Sequence, residues 1–322
     1  MQVWVFTEPH RGADYDAQLR FARLAEECGF AGLVRADHYQ AMGGAGGLPG
    51  PSDAWVTVAG LSRETTRLRL GVQMSTVTFR LPGPLAITVA QVDQMSGGRV
   101  ELGVGAGWYE REHRSYGIPF PPATERFDQL AEQLEIITGL WQTPVGSRFS
   151  HHGKHYELVD SPALPKPVQR PRPPVIVGGR GRRRTPELAA RYADEFNAVF
   201  VSIAEAAGQF RRVAEAAQRV GRAAAGRPPL RLSLGLLVAC GRTEAEARRR
   251  AETMYEQNTA LPQEDPVIGT PDRVVDRIGQ LAGIGGGRVY LRLTELADLD
   301  HLALLGERVL PQVAPPGGTG SG

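Results

Sequence analysis

Cysteine is nearly absent from this chain: Cys28 and Cys240 are the only two in 322 residues. They lie far apart, one in an expected helix and one at an expected strand end. That excludes a disulfide framework and suits a reducing compartment. Lysine is as scarce, at Lys154 and Lys166, so nearly all of the 37 basic residues are arginine. With abundant alanine, glycine and proline, this bias reads as GC-rich coding and lowers the weight of any one arginine cluster. No run of about 18 apolar residues occurs, which excludes a membrane-spanning helix. The start, MQVWVFTEPH, has neither a basic region nor a cleavage site, so a cytoplasmic location is expected rather than secretion. A net charge of +2 is too small to argue for nucleic acid as a partner. Neither a P-loop nor a G-x-S-x-G motif is found.

What is present is a hydrophobic content of 42% against 22% charged residues, the balance of a globular protein with a sizeable core. Strand and helix patterns alternate. Strands are expected at 3–6, 31–34, 68–74, 100–104, 174–177, 196–201, 230–239 and 288–293. Helices are expected at 14–28, 51–64, 84–95, 124–141, from about 184 to 193, 203–221, 243 to about 258, from 270 onward, and 299–309. Gly29 sits at a helix C′ position. Thr243 and Glu246 form a capping box, and Thr270-Pro271 an N-cap with a first-turn proline. Eight strands, each followed by a helix, over about 310 residues predict a parallel (β/α)₈ barrel. Residues 1–313 are expected to form one domain. An insertion at 143–173 has a hairpin-like centre, Phe149 to Leu158, and a disordered tail follows at 314–322.

In such a barrel the active site gathers at the C-terminal strand ends. Those ends are Thr7-Glu8, Asp37-His38, Met74-Ser75-Thr76, Ala106-Gly107-Trp108, Gly178-Gly179, Val201-Ser202, Cys240 and Arg292. Asp37-His38 is the acid–histidine pair among them, and a histidine there can move a proton near neutral pH. The stretch GGRVELGVGAGW, 97–108, runs a strand into Gly103, Gly105 and Gly107 and then into Trp108 and Tyr109. Glycine lets bare backbone approach a flat or phosphorylated ligand. Gly178-Gly179-Arg180-Gly181 precedes a helix, an arrangement whose free amides favour phosphate. The spacing GxGxG at 103–107 is not the dinucleotide fingerprint. His151, His152 and His155 share one short hairpin without an evident fourth ligand, so no metal is expected. Cys240 reads as core.

Five segments in this order resemble the bacterial-luciferase-like family of (β/α)₈ flavin and deazaflavin oxidoreductases. They are Gly29-Phe30 with ADHY at 36–39, VTFRLPGPLA at 77–86, SGGRVELGVGAGWYEREHRSYGIPFPP at 96–122, ERFDQLAEQLEIITGLW at 125–141 and VGGRGRRRTPELAARYADEFN at 177–197. Within the family the chain looks most like members using coenzyme F420, an 8-hydroxy-5-deazaflavin. The resemblance implies that Asp37 contacts the deazaflavin head and that His38 exchanges a proton. It implies a non-proline cis peptide at Gln73–Met74 behind the ring, with Thr76 and the backbone of Ala106 and Gly107 also on the cofactor. Tyr109 is expected beside them, and Gly178, Gly179 and Arg180 at the phosphate. Arg180 and Arg182 to Arg184 would suit the acidic tail of F420.

One departure narrows the implication. The sugar-phosphate-oxidising branch places a catalytic carboxylate just after the strand-four glycines, where this chain has Trp108, and it needs cations that 199–205 lacks. A more apolar small-molecule substrate packed on Trp108 and Tyr109 is expected, with reduction of a C=C or C=N bond and catalytic roles for His38 and Trp108. FMN is the alternative cofactor, in a monooxygenase using reduced flavin and O₂. A non-catalytic flavin-binding barrel is the third reading. Oligomeric state stays open, a homodimer being common among relatives.

Overall fold

The structure is a computed structural model and describes residues 1–42, 48, 50–257 and 265–313. Residues 43–47 and 49 of the glycine-rich loop, the end of the helix expected to reach 258, and the tail at 314–322 lie outside the described residues. In chain order the elements are β1 (Gln2–Thr7), α1 (Tyr15–Glu27), β2 (Gly32–Arg35), α2 (Ala54–Glu64), β3 (Arg69–Thr76), α3 (Pro82–Ser96), β4 (Val100–Gly105), α4 (Glu110–Ser115) and α5 (Ala123–Gln142). The hairpin β5 (Phe149–His152) and β6 (Glu157–Ser161) follows, then β7 (Val175–Gly178), α6 (Arg184–Tyr192), β8 (Glu195–Ala198), α7 (Ile203–Arg219) and β9 (Arg231–Cys240). The chain continues through α8 (Glu244–Gln257), β10 (Val267–Gly269), α9 (Pro271–Gly283), β11 (Arg288–Leu293), α10 (Leu299–Arg308) and α11 (Leu310–Val313).

Strands β1, β2, β3, β4, β7, β8, β9 and β11 pair in parallel, and β11 returns to β1 to close the barrel. The short β10 pairs with the end of β9, a strand that the sequence pattern did not reveal. Antiparallel β5 and β6 form the hairpin expected between the fourth and fifth barrel strands. Barrel strand six is shorter than its apolar pattern. It ends at Ala198, and Phe200 turns away with φ 46.

A period of two explains the closure. On β1, Val3 and Val5 join the core under the helices, while Trp4 and Phe6 belong to a second cluster with Val34, Ala36, Ile176 and Tyr290. On β11, Val289, Leu291 and Leu293 pack outward in the same way. The alternate residues, Arg288, Tyr290 and Arg292, are fully or nearly fully buried. The floor of the barrel is charged: Arg288 Nη1 lies 2.6 Å from Glu101 Oε2 and 2.8 Å from Glu195 Oε2, with its guanidinium 4.1 Å above the Trp4 ring. Tyr290 donates to Glu195 at 2.7 Å, and Ser233 at 2.6 Å. Buried charges persist when they are paired and hydrogen-bonded in this way.

Candidate active site

Above that floor a cavity of about 440 Å³ opens at the C-terminal ends of the strands. One side is the charged wall Glu8, Arg11 and Arg292; the opposite side is Gly178, Gly179, Arg180, Gly181 and Thr185. Between them lie His38, Gln73, Met74, Thr76, Ala106, Gly107 and Trp108, with Phe6, Met42, Phe127, Val199, Phe200 and Tyr290 supplying apolar surface. Ten of the residues expected at the site are therefore brought together: His38, Gln73, Met74, Thr76, Ala106, Gly107, Trp108, Gly178, Gly179 and Arg180.

Two expected residues stand back from the cavity. Asp37 is 2% exposed and pairs with Arg80, which also reaches Asp53 at 2.6 Å and the Tyr39 hydroxyl at 3.4 Å. Asp53 in turn caps α2 through Trp55 and Val56 amides. Burial pushes the Asp37 carboxyl up, against the pull of Arg80. Asp37 thus ties the end of β2 to α2 and the β3–α3 loop. Tyr109 stands at the N-terminus of α4 and touches the site through Trp108, at 5.3 Å between ring centroids.

His38 follows β2 and keeps a 16% exposed side chain. Its Nδ1 lies 3.0 Å from Oε1 of Glu112, whose side chain is 1% exposed. Glu112 Oε2 accepts the Tyr39 backbone N–H at 2.8 Å. The ring makes edge contacts with His10, at 5.3 Å, and with Trp108, at 5.8 Å. His10 is fully buried, and neither of its ring nitrogens has a hydrogen-bond partner among the described residues. Burial holds its pKa down to about 3.

The third-strand bulge is present. The Gln73–Met74 peptide is cis, and the pairing of β3 with β4 shifts between Val72 and Ser75. The glycines around it accommodate the bulge as much as any ligand. A Cβ on Gly103 would lie 2.7 Å from the Val72 carbonyl oxygen and 2.9 Å from Met74 Sδ. At Gly107, φ is +76 and a Cβ would lie 2.6 Å from Thr76 Cγ2. Arg126 donates to the Ala106 carbonyl at 2.9 Å and holds this turn open. Gln73 is 5% exposed, and its Oε1 is buried without a partner, an acceptor that a ligand N–H or O–H can satisfy.

On the opposite side, no side chain caps α6, and Gly178 to Gly181 leave its first turn open to an anion. Arg180 donates to the Phe200 carbonyl of the neighbouring loop at 2.8 Å. Arg184 is taken up by Asp128, and Arg183 lies 3.5 Å from Glu187. Arg182 carries no ion pair among the described residues.

The charged wall was visible in the sequence only as strand ends. Glu8 lies 2.5 Å from Arg292 and 2.9 Å from Arg11. Burial alone would raise its carboxyl. Arg292, with His10 and Arg11, outweighs that and holds it well below the usual carboxylate range. Arg292 also stacks 4.8 Å over the Phe200 ring. Glu112 lay within a recognised stretch, but helix α4 was not foreseen, so nothing aimed it at His38. The three hairpin histidines lie elsewhere, with His151 against Glu132 and Glu135 over α5.

A cavity at the C-terminal mouth of a closed parallel barrel is where such folds perform chemistry. The model of the luciferase-like monooxygenases matches residues 1–288, and the chain belongs to that family. Among curated relatives, an F420-dependent glucose-6-phosphate dehydrogenase of Microbacterium testaceum is 35% identical over 179 residues, 55% of this chain and 51% of that protein. An FMNH₂-dependent dimethylsulfone monooxygenase of Pseudomonas putida is 30% identical over 187 residues, 56% of this chain and 48% of that protein. The chain thus spans about half the length of the curated relatives it matches. Among solved structures, a monooxygenase from Streptomyces bottropensis superposes with TM-score 0.81 at 23% identity, over 98% of this chain and 100% of that one. An F420-dependent secondary alcohol dehydrogenase gives 0.80 at 19% identity, over 97% and 98% of the two chains. At these identities the superpositions show the fold alone.

Proposed function

We propose that this protein is a coenzyme F420-dependent oxidoreductase acting on a small, largely apolar molecule, in the direction of reducing a C=C or C=N bond. The observation that carries the proposal is His38, backed by Glu112, facing a cavity whose far side is a bare glycine loop at a helix start. The residues present fit a deazaflavin. Gln73 offers a buried unpaired acceptor, the Gly107 turn has no side chain to block a ring, and Gly178, Gly179 and Arg180 suit a phosphate. When bound, the deazaflavin supplies a hydride.

The chain's own residues would bind, orient and move the proton. His38 gives a proton to the substrate atom that does not receive the hydride. Trp108, 47% exposed at the mouth, packs the substrate. Glu8 is the one carboxylate lining the cavity among the described residues, and its arginines make it a poor base. Without an able carboxylate at the cavity, proton transfer falls to His38, and reduction is the direction proposed. Trp108 also stands where the sugar-phosphate branch has its carboxylate, so a sugar phosphate is not the substrate proposed. Of the four arginines suited to an acidic tail, Arg184 and Arg183 are held in ion pairs, which leaves Arg182, and Arg180 with its bond to the neutral Phe200 carbonyl, for it.

The second reading, an FMN-dependent monooxygenase, draws on the same phosphate loop and on the dimethylsulfone relative. Fluorescence titration of the protein with F420 and with FMN separates the two. F420 binding at micromolar or lower concentration supports the first reading; tight FMN binding without F420 binding overturns it. An anaerobic screen of reduced F420 against enones, imines and ketones then gives the substrate class.

A further inference from the structure

We propose that Glu112 is a positioning residue that sets the tautomer of His38, keeping the hydrogen on Nδ1 and turning the Nε2 lone pair to the cavity. The proposal rests on His38 as the proton carrier and adds which nitrogen does the work.

The hydrogen-bond inventory leaves one solution. A carboxylate only accepts. Glu112 Oε2 already accepts the Tyr39 backbone N–H at 2.8 Å, and Oε1 stands 3.0 Å from His38 Nδ1. Nδ1 must therefore be the donor. The partner oxygen cannot exchange with solvent, because Glu112 is 1% exposed.

Helix α4 holds Glu112 in place through its neighbour. His113 Nδ1 lies 2.8 Å from the Tyr109 carbonyl, which can only accept, so His113 Nε2 accepts from the Thr78 hydroxyl at 2.6 Å. The His113 ring also packs against Phe79 and Phe120. Adjacent residues on one short helix thus fix each other: His113 anchors the helix to the β3–α3 loop, and Glu112 reaches His38. The His10 and Trp108 rings packed against His38 oppose a ring flip.

The consequence is directional. Neutral His38 receives a proton at Nε2 from solvent or ligand, and the resulting imidazolium is balanced by Glu112. In the reductive direction the Nε2–H bond breaks as the proton passes to the substrate, and the ring returns to its Nδ1–H form. Orientation of a histidine by a carboxylate on its other nitrogen is a general means of preparing it for proton transfer.

Glu112→Gln makes a specific test. The Tyr39 N–H still needs an acceptor, so the carbonyl of the introduced amide turns to it and the amide NH₂ faces His38 Nδ1. The ring must then accept at Nδ1 and carry its hydrogen on Nε2. The readout is the pair of imidazole ¹⁵N shifts of His38 in ¹⁵N-histidine-labelled, ligand-free protein at alkaline pH, assigned with His38→Gln. In the unmodified protein Nδ1 should be pyrrole-like and Nε2 pyridine-like. E112Q should exchange the two signatures, and Glu112→Asp, still acceptor-only, should not. Turnover of reduced F420 should fall roughly 10²-fold in kcat in E112Q, the size of a lost proton-transfer contribution. F420 affinity should stay within about threefold, because Glu112 does not line the cavity. An Nε2–H tautomer in the unmodified protein overturns the proposal whether or not the variant folds, as does an unchanged tautomer in E112Q. A tautomer that inverts while kcat is unchanged leaves Glu112's role standing and removes His38 from proton transfer.

Discussion

Met74 Cε occupies the space in which a side chain on Gly178 would begin: a Cβ there would stand 2.5 Å from it. A Cβ added to Gly105, on the neighbouring strand, would meet Met74 Cβ at an ordinary 3.4 Å. The strands around the β3 bulge are glycine where Met74 crosses them.

Alanine at these positions should therefore be costly in a graded way. Gly103→Ala would meet the Val72 carbonyl oxygen at 2.7 Å, a backbone atom that cannot swing aside. Overpacking of that kind costs about 1–3 kcal/mol, and G103A should fall at the upper end. Gly178→Ala meets first the flexible end of Met74 and next the Asn197 carbonyl at 3.0 Å, and should cost less. Chemical denaturation of both variants measures the order. An equal or reversed order would show that the bulge itself moves.

A substitution at Trp108 distinguishes substrate contact from cofactor contact. At 47% exposure its loss should change stability by no more than about 0.5–1 kcal/mol. Trp108→Ala should raise the substrate KM by roughly tenfold, the value of a lost aromatic contact of about 1.4 kcal/mol, while F420 affinity stays within twofold. A matching loss of cofactor affinity would place the indole on the deazaflavin instead.

The charged wall should behave as a buried pair. Removing one member of such a pair costs about 3–5 kcal/mol, because the other charge stays buried. Glu8→Ala and Arg292→Ala should each approach that range. The double variant should be less destabilised than the sum of the two. Denaturation of all four proteins gives the coupling; additive losses would mean that Glu8 and Arg292 act independently.

Two buried histidines set an acid-side window. Burial lowers His10 to about 3, and burial, with Arg250 adding to it, lowers His301 to about 4, both from 6.5. His301 Nε2 accepts the Cys240 N–H at 2.9 Å, so protonation also breaks a bond. Between 6.5 and these values the unfolded chain binds protons that the folded one does not. Stability should therefore be full above pH 6.5 and fall as the pH drops toward 4, by on the order of 3 kcal/mol per histidine. Glu101, held down to about 2 against its own burial by Arg288, adds a separate loss only below about pH 4.5. His10→Phe removes two unpartnered nitrogens, so it should be neutral or stabilising at pH 7 and flatten the slope of Tm from pH 7 to 4.5. A steeper slope in His10→Phe would contradict this.

Much of the site was legible because it lies in local patterns. His38 follows a strand, Gly107 and Trp108 follow another, and Gly178-Gly179 precede a helix start; each is a short-range signal, and the barrel places them together. Asp37 looked like a ligand residue for the same reason. Its orientation toward Arg80 depends on a loop 43 positions away, which no local pattern reveals. Glu112 was hidden differently. Six-residue α4 is too short to show a helical period, so its buried side could not be told from its exposed one.

By itself the sequence determined the alternation of strand and helix, hence the barrel, the family and the loops that meet at its mouth. Those follow from periodicity and turn chemistry, which act over a few residues. Only the tertiary structure decided what faces what. Inside the strands and at their ends lie Arg288, Glu101, Glu195, Glu8 and Arg292, charges whose burial and pairing no local pattern along the chain reveals. They are tolerated inside because barrel closure brings residues from opposite strands within hydrogen-bonding distance. The packing of α4 on the β3–α3 loop puts Glu112 against His38, a carboxylate outside the cavity lining that we propose sets the proton within it.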